Sequence, residues 1–99
     1  LPATKIHYVA IKPSISRWQL VTKMRKTNGL IESYCDADEL LFFVDIDTPM
    51  MGANKKPRPE LFAKDGLHLN VPGYILWNKI LRESFLQSGC VENAKTHSQ

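Results

Sequence analysis

The sequence predicts an α/β domain: a βαβ unit on a parallel sheet, a carboxyl-terminal helix, and only part of a larger layered domain. Three observations carry this. Residues 6–11 and 40–45 are nearly unbroken apolar runs rich in β-formers, the pattern of strands covered on both faces. Between them the apolar spacing becomes helical. A two-stranded parallel pair has two open edges and cannot cover all-apolar faces, so both strands read as interior members of a wider sheet.

Each element follows from its residues. Ile6-His7-Tyr8-Val9-Ala10-Ile11 is the first strand, and His7 reads as a side chain at the strand end, not a ligand. Lys12-Pro13-Ser14 stops it, and Ser14 or Ser16 can cap the next element. From Arg17 to about Tyr34, the residues Trp18, Val21, Met24, Asn28, Ile31 and Tyr34 recur at three- and four-residue steps, with Leu20 and Leu30 widening the stripe. That stripe predicts a helix face on the core, with Asn28-Gly29 as the point where it can break.

Cys35-Asp36-Ala37-Asp38-Glu39 is a polar connection into the second strand, Leu40-Leu41-Phe42-Phe43-Val44-Asp45, and the crossover is expected to be right-handed. Residues 46–64, with three prolines and Gly52, predict a long loop without regular structure, of the kind that is functional or mobile. Asn70 predicts the N-cap of the last helix with Pro72 in its first turn, and Tyr74, Trp77, Ile80, Leu81 and Phe85 give it an apolar face. Ser88-Gly89 ends it. The domain is therefore placed at residues 1–88, with 89–99 as a polar tail.

A chain of 99 residues supports one small domain, and its 43% hydrophobic and 23% charged residues are those of a soluble globular protein. The formal charge is only +3. Lys23-Met24-Arg25-Lys26 and Lys55-Lys56-Pro57-Arg58 lack accompanying aromatics and base-reading motifs, so they read as solvated faces and no nucleic-acid partner is expected. No apolar run reaches the ~20 residues of a membrane span. Cys35 and Cys90 match no metal-ligand spacing; they are buried thiols or one bridge, and they fix no redox compartment. Neither a metal nor a cofactor is expected. The chain opens at Leu1-Pro2, not at Met, and its native start is expected to lie upstream.

Chemistry gathers at Asp65-Gly66-Leu67-His68-Leu69-Asn70-Val71-Pro72-Gly73-Tyr74, a loop running into the last helix. A carboxylate three residues before an imidazole suits a general base, in which one ring nitrogen takes a proton while a fixed acceptor holds the other. The plainer reading is that Asp65 caps a turn and His68 packs on the loop. The site lies beyond the carboxyl end of a parallel strand, where open α/β sheets place their sites.

Asp65, His68, Asn70, Gly73 and Tyr74 resemble the last signature block of the SGNH hydrolases, the GDSL-type lipases and esterases. Upstream, residues 5–14 are similar to the family's penultimate strand and its proline exit, and Arg17-Trp18, Asn28 and residues 41–45 are similar to their family counterparts. The resemblance covers residues 5–85, the carboxyl-terminal half of the family's three-layer α/β/α, flavodoxin-like domain. It implies a serine ester or acyl hydrolase in which His68 is the base and Asp65 orients it. It also implies a small ester or acylated substrate, and an amino-terminal half of the same domain as partner.

In the family the nucleophile and oxyanion hole come from an early Gly-Asp-Ser, a later glycine and a Gly-x-Asn-Asp. None of these blocks is present here. Gly52-Ala53-Asn54-Lys55 lacks the final Asp and comes after the second strand, so it reads as a loop. Ser14, Ser16, Ser33, Ser84 and Ser88 hold capping, helical or tail positions, and none sits on a strand-to-helix turn after glycine. The chain by itself is expected to be inactive.

Two other readings stand beside this one. A truncated, non-catalytic α/β module could bind a partner through its exposed sheet edge. Alternatively, Asp45 and Asp47 in Phe42-Phe43-Val44-Asp45-Ile46-Asp47-Thr48 resemble the first motif of haloacid-dehalogenase-type phosphotransferases, with one carboxylate as nucleophile and the other handling the proton. There, Met50 stands where that family has Thr or Val. The plain alternative is that both carboxylates end the strand and bind loop amides.

Overall fold

A computed structural model describes residues 4–89. In it β1 (Ile6–Val9) and β2 (Leu41–Val44) pair in parallel, with His7 opposite Phe42 and Tyr8 opposite Phe43. The crossover is α1 (Val21–Asp36), entered through a 3-10 turn at Trp18–Leu20, and α2 (Val71–Ser88) closes the described chain. The βαβ unit and the carboxyl-terminal helix are those expected from the sequence.

The helices occupy opposite faces of the pair. On one face His7 stacks on Phe42 with ring centroids 4.9 Å apart and meets the edge of Phe85 of α2 at 4.7 Å. On the other face Tyr8 stacks on Phe43, and Phe43 shares a cleft with Asn28 and Gly29 of α1. This is a helix–sheet–helix layering with a sheet of two strands.

As expected of a two-stranded pair, the described residues leave part of the strands uncovered: Ile6 is 55% exposed, and Tyr8 is exposed beside it. Alternation along β1 puts these two on the α1 side, and α1 packs against β2, leaving that side of β1 bare. Asn28-Gly29 does not break α1. The buried face of that helix ends in Cys35, one residue beyond the predicted Tyr34, which is 70% exposed. Leu20 and Leu30 are likewise on the solvent side. On α2, Trp77, Ile80, Leu81 and Phe85 are partly covered, but Tyr74 points to solvent.

Asn28 takes its place on the buried stripe for a specific reason. Its side-chain amide accepts from Ile11 N at 2.8 Å and donates to Ile11 O at 3.2 Å, so it satisfies the chain just past β1 as a neighbouring strand would. Neither Ser14 nor Ser16 caps a helix as expected: the N-caps are Arg17 and Leu20, without side-chain bonds, and the buried Ser14 instead accepts from Arg17 N at 3.2 Å to close the turn ahead of the 3-10 segment.

The long connection is also more ordered than expected. Residues 46–64 contain 3-10 turns at Thr48–Met50 and Pro59–Leu61 and a Met51–Pro57 bridge. Ile46 and Met50 are fully buried, and with Ala10, Val44, Leu61, Phe62 and Leu69 they form the core. The connection is thus a wall of the domain, pinned further where Trp77 Nε1 donates to Met50 Sδ at 3.4 Å. Gly52 N donates to Lys56 O at 2.8 Å across the tight turn at residues 52–56, and Asn54 serves that turn as a loop residue. The end of the polar tail and any pairing of Cys90 lie outside the described residues.

Candidate functional site

The loop carrying Asp65 and His68 is closed at its neck by an antiparallel bridge between Phe62 and Leu69, both core residues. Within the neck, Ala63 N donates to His68 O at 2.8 Å and Gly66 N to Ala63 O at 3.0 Å. Gly66 has φ +66°, and a Cβ there would also stand 3.2 Å from Ile15 Cβ, so glycine suits both the backbone and the space. The loop is docked on the exit of β1: Ser16 N donates to Gly66 O at 3.0 Å, and Lys12 Nζ donates to Leu67 O.

Downstream, Asn70 joins the loop to α2. Its Oδ1 accepts from Gly73 N at 3.0 Å as the N-cap, while Nδ2 donates to Glu60 O and Phe62 O at 2.8 and 3.1 Å. One side chain therefore fixes both the start of the helix and the turn before the loop.

The two predicted site residues are brought together. Asp65 Oδ1 accepts from Leu67 N at 2.9 Å and His68 N at 3.0 Å, and Oδ2 lies 2.5 Å from His68 Nδ1. Turn capping and imidazole binding thus use different oxygens of one carboxylate. The His68 bond, with the Leu67 and His68 amide bonds after it, holds the Asp65 carboxyl well below the usual carboxylate range. An ionised carboxylate only accepts, so Nδ1 carries the hydrogen, and in the neutral form of the ring the lone pair then belongs to Nε2 on the side away from Asp65. His68 does not pack on the loop; its side chain is 73% exposed. Among the described residues nothing hydrogen-bonds its Nε2, and no serine hydroxyl reaches it.

The remaining candidates serve structure. Asp45 accepts from Asp47 N and Thr48 N at 2.9 and 3.1 Å and from Thr48 Oγ1 at 2.7 Å, which matches the plain reading of a strand terminator. Asp47 forms a two-pronged pair with Arg25, at 2.8 and 3.1 Å. A cleft of about 190 Å³ lies at the carboxyl ends of the strands beside Ala10, Asn28, Asp45 and Asp47, away from the exposed Asp65–His68 pair. Among the described residues no group of three His, Cys, Asp or Glu side chains is placed to hold a metal ion. None of their helices is long and apolar enough to cross a membrane. His7 lies between Ser84 Oγ, 3.0 Å from Nδ1, and Ser88 Oγ, 3.2 Å from Nε2, and so joins β1 to α2. Lys12 carries no signal in the sequence; only the fold brings it to the loop.

No protein-family model matches this chain, and no curated protein does. Among solved structures it is similar to a protein of Streptococcus pneumonia provisionally described as a platelet activating factor, with a TM-score of 0.69 and 24% identity. The match covers 83% of this chain and 42% of that one. The likeness is one of fold. This chain has the architecture of part of a larger α/β domain, and it spans less than half of the similar protein.

Proposed function

We propose that this chain is the acid–base half of an SGNH-type serine hydrolase that cleaves small esters or acylated compounds. The observation that carries the reading is the Asp65–His68 pair: an amide-anchored carboxylate 2.5 Å from Nδ1 of an imidazole whose other nitrogen lies on the side away from Asp65. A general base needs that polarity. His68 would take the proton of a serine hydroxyl as it attacks the ester carbonyl and return it to the departing alcohol. Asp65 would hold the tautomer and stabilise the imidazolium. The nucleophile and oxyanion donors would come from the amino-terminal half of the domain, seated along the open edge of β1 and against Ile6 and Tyr8.

The fold likeness supports this reading, because the similar protein continues well beyond the matched part. The test is ester cleavage by the protein encoded by the complete native gene. Hydrolysis of a short-chain aryl ester that His68→Ala removes supports the assignment; full activity in that variant would falsify it.

A second reading rests on the bare side of β1, which also suits a non-catalytic module that docks a partner. It predicts no turnover in the complete protein and retained partner binding in His68→Ala.

A further inference from the structure

Lys12 is the charged side chain that fastens the Asp65–His68 loop to the exit of β1. Its bond is placed with particular effect. The Leu67 carbonyl it grips belongs to the same peptide unit as the His68 N–H, which donates to Asp65 Oδ1 at 3.0 Å. A peptide unit is planar and stiff, so fixing its oxygen fixes the direction of its N–H. The imidazole hangs from the α-carbon that ends this unit. A cation at the carbonyl also polarises the peptide and strengthens its N–H as a donor.

The ammonium is held where it can do this. It lies 5.4 Å from the centroid of the Phe62 ring, and Phe62 forms the bridge that closes the loop. It is half-buried, and burial pulls the Lys12 pKa below its usual value, Asp65 pushes it back up, and Arg17 lowers it. Asp65 and Arg17 are the charged groups that act on it most.

We propose that Lys12 is the positioning residue of the Asp65–His68 pair, orienting the Leu67–His68 peptide so that Asp65 meets Nδ1 of the imidazole. The inference rests on the reading of that pair as a general base and its orienter. Its test needs no ester and no nucleophile, so it fails or succeeds separately from the hydrolase assignment.

The experiment is nitrogen-15 NMR of the His68 ring in the full chain, above the pH at which histidine is protonated, read alongside the melting temperature. Wild type and Lys12→Arg are expected to hold the hydrogen on Nδ1. Lys12→Met is expected to lose most of that tautomer population, whereas a purely structural role would lower the melting temperature and leave the tautomer unchanged. A folded Lys12→Met chain with the wild-type tautomer overturns the proposal. If that variant fails to fold, Lys12→Gln takes its place, with a donor but no charge. A population in Lys12→Gln below that of Lys12→Arg supports the proposal, and equality overturns it.

Discussion

Gly73 lies so close to Leu61 that a Cβ on it would stand 2.3 Å from the Leu61 carbonyl oxygen. The same oxygen accepts from Asn70 N at 3.1 Å, so the first turn of α2 rests directly on the turn that leads into the Asp65–His68 loop. Gly73→Ala should therefore destabilise the chain, although alanine is the better helix former by about 1 kcal/mol. Backbone sets the clash and cannot step aside, and overpacking of this kind costs about 1–3 kcal/mol. Thermal denaturation checks this; an unchanged or raised melting temperature would show that α2 can shift away from Leu61.

Asn70 makes a sharper distinction. Asparagine and aspartate are nearly equal as N-caps, and loss of a cap costs about 1 kcal/mol. Here Nδ2 also donates to the Glu60 and Phe62 carbonyls, and an aspartate would set a negative oxygen against both. Asn70→Asp should be at least as destabilising as Asn70→Ala, on the order of 2 kcal/mol, with the repulsion of unpaired carbonyls adding to the lost bonds. Urea denaturation of the two variants decides it, and recovery of stability by aspartate would mean that only the cap matters.

On the proposed hydrolase reading, Asp65→Asn in the complete protein should keep the amide bonds to Leu67 and His68 through its oxygen. Its amide nitrogen would then face Nδ1 and force that nitrogen to accept, placing the hydrogen on Nε2 where a base needs a lone pair. The expected loss in kcat is roughly 10³–10⁴-fold with little change in KM, by analogy with orienting carboxylates in serine hydrolases. A loss under tenfold would remove Asp65 from the mechanism.

The depressed pKa of Asp65 also sets a pH dependence of folding. Its folded pKa lies below the unfolded value of about 3.9, so in acid the unfolded chain binds more protons. The contribution is complete above the unfolded value and is lost as pH falls through the folded one. Wild type should exceed Asp65→Asn in stability near neutrality, and the gap should narrow below about pH 4. Chemical denaturation across that range tests the sign, and a gap that widened in acid would contradict it.

Much of the site was legible in the chain itself. Asp65 and His68 were marked by spacing, and Asn70 with Pro72 by the chemistry of a helix start. All are local effects, in which a side chain acts on backbone within a few residues. The loop at 46–64 was not legible, because its irregular prolines hide two fully buried side chains, Ile46 and Met50, whose partners are distant in sequence. Tyr34 and Tyr74 were misplaced for a related reason: periodicity gives a helix a face, and packing decides where that face ends.

By itself, then, the sequence determined the strand–helix–strand order, the last helix with its cap, and the pairing of Asp65 with His68. Each is written in contacts between near neighbours, where the chain's stereochemistry leaves few choices. Only the tertiary structure decided that Asn28 stands in for a strand beside Ile11, that α1 leaves the Ile6 and Tyr8 side of β1 bare, and that Lys12 reaches the Leu67 carbonyl across 55 residues. Those relations depend on which distant surfaces exclude water together, and burial of that kind carries no local signature.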